Sequence, residues 1–289
     1  MLLLPLQLQA QVSLAPDTTA PPNNRLLNLG IGFSVAYTGT IIALNKAWYQ
    51  NEPRTGFHFF NDNHEWKQVD KAGHMWAAYH ESRIGVDLLR WAKVPEKKAI
   101  WYGGMLGFVL QTPIEILDGY QASYGASAGD LIANTVGSAG VISQYLLWQE
   151  LRIVPKYSFH TTRFAAVRPN VLGSNLPEKA LKDYNGQTYW IGVDVPAFLP
   201  ENSKWPSWLG VAAGYGAEEI VFNDPNTNKA FGFSAYRQYY LAPDINFRKI
   251  KTRSKVLKTL FFIADGFHIP APALEYNRKH GLTGHWLYF

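Results

Sequence analysis

Apolar residues keep two different rhythms along the chain. Up to about Arg152 they recur at helical spacing, with small residues lining one side of each segment. Beyond Pro155 they alternate in short runs rich in Tyr, Trp, Val and Phe, with Gly and Pro between the runs. The first rhythm predicts four helices. Arg25 to about Gln50 is mostly apolar and carries Gly30 and Ser34 four apart, a spacing that lets helices approach closely. Its length approaches what a bilayer needs, although Asn28, Thr38 and Thr40 dilute it. The second helix, Val69 to Trp91, carries Asp70, Lys71, His74, His80, Glu81, Arg83, Asp87 and Arg90, too polar a set for a lipid-exposed span. A third opens at Pro95, holds the Gly103/Gly107 pair and Pro113, and runs to Leu117, with a kink expected at Pro113. In the fourth, Ser127 is the predicted N-cap, with Asp130 three residues on. Gly129, Ala133 and Gly137 form its small face, and Pro155 stops it.

The second rhythm predicts antiparallel strands over 187–195, 208–222 and 231–247, a short amphipathic helix over Lys255–Ala264, and a last strand ending on Phe289. The fold class is therefore α+β: a helical bundle over 25–152, then a strand-rich region over 153–289. That region is barrel-like in its alternation and its terminal aromatic residue, although any last strand can end so. Residues 1–10 read as a short apolar export signal ending in Leu8-Gln9-Ala10, and 11–24 as a Pro-containing linker. The expected location is the periplasm or the outer membrane, in association with a membrane.

Composition sharpens this picture. Aromatic residues make up 15% and charged residues only 17% of the chain, which suits a protein near a bilayer interface; a soluble protein with a Trp-rich core fits as well. The absence of cysteine excludes disulfides, thiolate metal sites and Cys nucleophiles. Net charge is uneven: residues 1–150 carry −2 and the remainder +7. Arg248, Lys249, Lys251, Arg253, Lys255 and Lys258 crowd together with no acid among them. Such a cluster meets an anionic lipid surface, a nucleic acid or only solvent. No nucleic-acid motif accompanies it, so a membrane is the expected partner and nucleic acid is not.

Chemistry-bearing residues concentrate in three stretches. Asp70 and His74 share one helix face, Glu115 and Asp118 close the third helix, and Asp130 and Asn134 share a face of the fourth. Short connections favour antiparallel neighbours, which brings His74, Glu115 and Asp130 to one end of the bundle. A hydrogen bond from His74 to Glu115 or Asp130 is expected, with all three buried. That set suits a divalent metal or a general acid/base pair; no other cofactor is expected. The plainer reading is structural: Asp130 serves a helix start, Asp70 caps a helix or pairs with Lys71, Asp118 sits in a loop, and His74 and Glu115 form one buried hydrogen bond. His58, His64 and His80 read as loop or surface residues. Gly210–Gly216 reads as a packed strand rather than a phosphate cradle. The common hydrolase and nucleotide-binding motifs are missing.

These stretches carry a resemblance. Asp70-Lys71-Ala72-Gly73-His74, Pro113-Ile114-Glu115 with Asp118-Gly119, and Tyr124 to Asp130 with Ala133, Asn134 and Gly137 resemble the YfiM-like family of predicted periplasmic lipoproteins. Residues 168–175 and 182–190 resemble its longer members. Asp70, Lys71, His74, Asp130, Asn134 and Gly137 are also similar in outline to VanZ-like membrane proteins. The resemblance implies an envelope location and brings no established activity. With no Cys to acylate, attachment to a membrane is expected from helices or strands. Two functions compete. One is a non-enzymatic envelope protein holding lipids or a protein partner. The other is a metal- or acid/base-dependent hydrolase using His74, Glu115, Asp118 and Asp130.

Overall fold

The computed structural model describes residues 24–46 and 53–289; the export signal and nearly all of the linker expected from sequence lie outside them. Helix α1 (Asn24–Leu44) has no buried residue. By length and composition it is the one helix among the described residues apolar enough to cross a membrane. It meets the rest of the chain through Tyr37 Oη, which donates to the Leu110 carbonyl at 2.8 Å, and Arg25, which donates to the Trp91 carbonyl at 3.2 Å.

Helix α2 (Val69–Trp91) is the central element. The predicted third helix is divided into α3 (Glu96–Lys98), a π-helical turn (Ala99–Gly103) and α4 (Leu106–Asp118), with Pro113 inside α4. Helix α5 (Ala128–Trp148) follows. Small residues are what allow α4 and α5 to close on α2. A Cβ on Gly107 would lie 2.0 Å from the Ala78 carbonyl oxygen, and one on Gly137 2.4 Å from that of Met75. The N-terminus of α5 forms as expected: Ser127 Oγ accepts from the Asp130 amide at 3.1 Å, satisfying one of the helix's orphan donors. Its other end differs from expectation. Gln149, at φ +58°, ends it in the left-handed region, and Pro155 instead lies inside the first strand.

That strand, β1 (Ile153–Phe159), leads through α6 (Pro169–Leu172) and α7 (Leu176–Lys182) to β2 (Gln187–Val193) and β3 (Leu209–Glu218). Helix α8 (Pro225–Ala230) precedes β4 (Tyr236–Ile245). Helix α9 (Lys255–Ala264), with the predicted bounds, precedes β5 (Ala271–Asn277) and β6 (Gly281–Tyr288). The six strands form one antiparallel meander in sequence order. The sheet curls until Thr188 Oγ1 on β2 lies 3.0 Å from Tyr288 Oη on β6, yet β1 and β6 do not pair. The barrel-like expectation therefore becomes an open, curled sheet. The turn at 266–268 occupies the free edge of β1 instead: Tyr157 N–H donates to Gly266 O at 3.1 Å and His268 N–H to Tyr157 O at 2.9 Å. Gly214 belongs to β3 as expected, and its missing Cβ, which would lie 2.7 Å from the Trp190 ring, makes room for that side chain inside the curl.

The two faces of the sheet differ in an unusual direction. The inner face carries Lys156, Ser158, Thr188, Gln238, Asp244, Glu275 and Asn277, all buried, beside an apolar cluster that includes Trp190, Tyr240 and Tyr288. On β3 to β6 the opposite face presents Val211, Tyr239, Leu241, Leu274, Tyr276, Leu282 and Trp286 to the exterior, Trp286 with 93% of its surface exposed. Near β1 and β2 the same outer face is covered by α2, where Trp76 packs against Tyr157.

Candidate functional site

A cavity of about 410 Å³ opens between the helices and the covered part of the sheet. Aromatic groups wall it: Phe60, Trp66, Trp76, Tyr124, Tyr184 and Tyr189. Trp66 is placed by backbone strain. Trp66, Lys67 and Gln68 take φ values of +44°, +53° and +63°, a left-handed turn that costs a residue with a Cβ about 1–2 kcal/mol. Side chains from the sheet hold this turn. Tyr215 Oη donates to the Lys67 carbonyl, and Arg237 donates to Gln68 Oε1 at 2.5 Å.

The floor gathers the residues singled out from sequence. Lys71 Nζ lies 2.8 Å from Asp62, 3.1 Å from Asp70 and 3.2 Å from Asp130. Ser127 joins the two ends of this group, donating through Oγ to Asp62 at 2.6 Å and through its backbone N–H to Glu115 Oε2 at 3.0 Å. His74 Nδ1 donates to Asn134 Oδ1 at 3.2 Å, and Nε2 faces Glu115 Oε1 at 3.8 Å. His74, Glu115 and Asp130 each offer one ligand-type atom within 4.8 Å of the others. The expected convergence is therefore present, but the hydrogen bond of His74 goes to Asn134 rather than to a carboxylate. His74 also keeps 23% of its side chain exposed, against 3% for Glu115. Asp118 lines the cavity and belongs to neither close group.

Burial sets the protonation of this floor. Glu115 is pushed up to about 8, by desolvation first and the Asp130 charge second, against the Ser127 N–H. Asp70 rises to about 6 through burial, with Lys71 pulling the other way. Asp130 is also raised, mainly by burial. For Asp62, burial is outweighed by the Lys71 ammonium and the Ser127 hydroxyl, which hold it below the usual range. Burial would lower Lys71, but its three carboxylate neighbours raise it and keep it charged.

Sequence reasoning missed Asp62, Glu65, Trp66, Tyr184 and Tyr189 as lining groups. Asp62 sits in Asn61-Asp62-Asn63, which reads only as a turn; its one sequence signal is a carboxylate in an otherwise aromatic loop. Among the other histidines, His80 is a correction: it packs inside, Nε2 against the Pro155 carbonyl at 2.8 Å, and burial lowers it to about 4. The basic cluster divides. Arg248 ion-pairs with Asp265 at 2.9 Å, and Lys249 with Glu150 at 3.0 Å and Asp194 at 3.4 Å, so these two serve internal partners. Lys251, Arg253, Lys255 and Lys258 are exposed.

Comparison with known proteins adds one positive finding. The profile of a family described as "Predicted periplasmic lipoprotein (DUF2279)" matches residues 57–147, a span that contains every residue of the cavity floor named above. No curated protein and no solved structure matches the chain. The similarity is to an exported, periplasmic, membrane-associated family, and it supports a role in the cell envelope.

Proposed function

We propose that this is an envelope protein that works against a membrane, with the outer face of its sheet and the exposed side of α9 in contact with lipid. The apolar outer face of the sheet, opposite an interior that also buries charge, carries this reading. A soluble antiparallel sheet turns apolar residues inward and polar ones to water, whereas lipid-facing sheets do the reverse. Here the covered face holds Lys156, Asp244 and Glu275 while Leu241, Leu274, Leu282 and Trp286 face out. Helix α9 also exposes Val256, Leu257, Leu260 and Ile263, and Lys251, Arg253, Lys255 and Lys258 lie before and in its first turn, a charge pattern suited to anionic headgroups. Among the described residues the outer edge of β6 has no strand partner, and unpaired backbone groups are excluded from hydrocarbon. The proposal therefore places the face, not that edge, in lipid.

The absence of native cysteine makes the test direct. Leu241→Cys and Leu274→Cys, each labelled with a polarity-sensitive fluorophore, should shift to the blue when the purified chain meets vesicles containing phosphatidylglycerol. A label at Lys204→Cys should not. Outer-face labels that stay in water while the chain floats free of vesicles would defeat the proposal.

A second reading is a metal- or acid/base-dependent envelope hydrolase. The observation favouring it is the meeting of His74, Glu115 and Asp130 at the floor of an aromatic-walled cavity, with Asp118 on its wall. We also propose the finer YfiM-like and VanZ-like likenesses, which rest on Asp70, Lys71, His74, Asp130, Asn134 and Gly137.

A further inference from the structure

We propose that His74 Nε2 and the carboxylates of Glu115 and Asp130 bind one divalent first-row transition ion at the cavity floor. The inference is independent of the membrane reading.

Three acidic or imidazole groups close together do not by themselves make a site; the separate observation is Glu115. Only 2% of this residue is exposed, its Oε1 makes no hydrogen bond, and that atom faces His74 Nε2 at 3.8 Å. A buried carboxyl oxygen without a hydrogen bond, facing an imidazole nitrogen, leaves a place between them for a proton or for a metal cation that displaces it. The surroundings fit ligand chemistry. Asn134 Oδ1 accepts from His74 Nδ1 and so fixes the tautomer that leaves Nε2 free, as partners of metal-bound histidines do. The Ser127 N–H orients the other oxygen of Glu115. The Lys71 ammonium already fills the neighbouring group of Asp62, Asp70 and Asp130, so no second ion enters there, and Asp130 is shared between that ammonium and the proposed site.

Imidazole together with carboxylate selects Zn²⁺ or Mn²⁺ over Mg²⁺ or Ca²⁺. Ligands about 2.0–2.2 Å from such an ion stand roughly 3–3.5 Å apart. The present 3.8 Å between His74 and Glu115, within a set spanning no more than 4.8 Å, therefore requires an inward shift of the ligands, to which the partly exposed His74 can contribute. Three protein ligands on the wall of a cavity leave positions open toward it, the arrangement of catalytic rather than structural sites.

The test uses the full chain, stripped with EDTA and titrated with Mn²⁺ or Zn²⁺ while calorimetry and the electron spin echo of Mn²⁺ are followed. One equivalent should bind, with nitrogen modulation of the Mn²⁺ signal from His74. Glu115→Gln, which keeps the shape of the side chain, should weaken binding at least 100-fold. His74→Ala should also abolish the nitrogen modulation. His285→Ala, which removes the imidazole of a separate histidine–carboxylate pair in the sheet, should bind as the parent does. Circular dichroism confirms that each variant is folded, and Glu115→Gln carries the test if His74→Ala is not. No saturable binding at millimolar metal, a signal without nitrogen coupling, or equal affinity in Glu115→Gln and the parent would each overturn the site.

Discussion

The interior of the curled sheet and the helical half both bury charge, but they treat it differently, and outside that interior the strand-rich half too leaves oxygens of Asp194 and Asp265 without hydrogen bonds. In the sheet, Lys156 Nζ lies 2.9 and 2.7 Å from the two oxygens of Asp244 and donates to the Ile245 carbonyl at 2.7 Å. Glu275 accepts from Gln238 at 2.9 Å and Asn277 at 2.7 Å, and His285 stands 2.7 Å from its other oxygen. In the helical half, one oxygen each of Asp70, Glu81 and Glu115 is buried without a hydrogen bond. Burial raises all three carboxyls, Glu81 to about 7. A buried charge with every valence answered is a structural device. A buried carboxyl with an open valence at a cavity is a place for a proton, a cation or a ligand. The sheet's polar interior thus stabilises its curled shape, and the helical half keeps the open acceptors of Asp70 and Glu115 at the cavity.

The strongest way to break this comparison is Lys156→Ala. It leaves Asp244, 5% exposed, inside the curl without its cation. Removing one partner of a buried pair costs about 3–5 kcal/mol, so the thermal midpoint in mild detergent should fall sharply. Replacing both members with Met and Leu should recover most of the loss, because the pair's attraction mainly offsets its own desolvation. If the single variant melts with the parent, the sheet's buried charges are not structural and the contrast collapses.

Glu81 tests the other half with the opposite sign. Its Oε1 accepts from Gln111 Nε2 at 2.9 Å while Oε2 has no hydrogen bond. Its folded pKa is raised from the model-compound 4.5 to about 7, chiefly by burial. The unfolded chain therefore gives up this proton more readily, and the stability contributed by the protonated form, full below about 4.5, is lost as pH rises through 7. Glu81→Gln keeps the bond from Gln111 and never ionises. It should match the parent near pH 4.5 and exceed it by about 3 kcal/mol at pH 8. Parallel stability curves for the two proteins across this range would show that Glu81 is not held protonated by the fold.

Much of this arrangement was legible in the amino-acid order, for physical reasons specific to each part. The small faces at Gly107 and Gly137 fixed where helices meet, because nothing larger fits against the α2 backbone. Ser127 with Asp130 marked a helix start because a hydroxyl three residues before an amide caps it. His74, Glu115 and Asp130 came together because short connections alternate helix directions. The π-helical turn at Ala99–Gly103 was not legible, since its residues suit an α-helix equally well. Asn134 as the partner of His74 escaped because a one-turn spacing assigns a face but not which of several acceptors is met. Asp62 reaches the floor through contacts between distant segments, which no local pattern encodes. The same holds for the inverted sheet. Alternation showed that one face differs from the other, while which face is covered depends on the direction of the curl.

Ser127→Ala has the smallest expected effect and separates the two uses of one residue. Its hydroxyl caps α5 by accepting from the Asp130 amide and also donates to Asp62, while its backbone N–H, which the substitution preserves, orients Glu115. Losing an N-cap hydroxyl costs about 1 kcal/mol, and Asp62 keeps Lys71 at 2.8 Å, so no carboxylate is left without a cation. The melting temperature should therefore drop by a few degrees. The proposed ligands His74, Glu115 and Asp130 all remain, with Glu115 still held from the backbone, so Mn²⁺ affinity should stay within a few-fold of the parent. Stability would then move while binding does not, the reverse of the pattern expected for Glu115→Gln. A Ser127→Ala protein that melts like the parent but loses metal affinity would mean that the hydroxyl acts in the site itself, and the division between a structural cap and a ligand-holding floor would have to be redrawn at this residue.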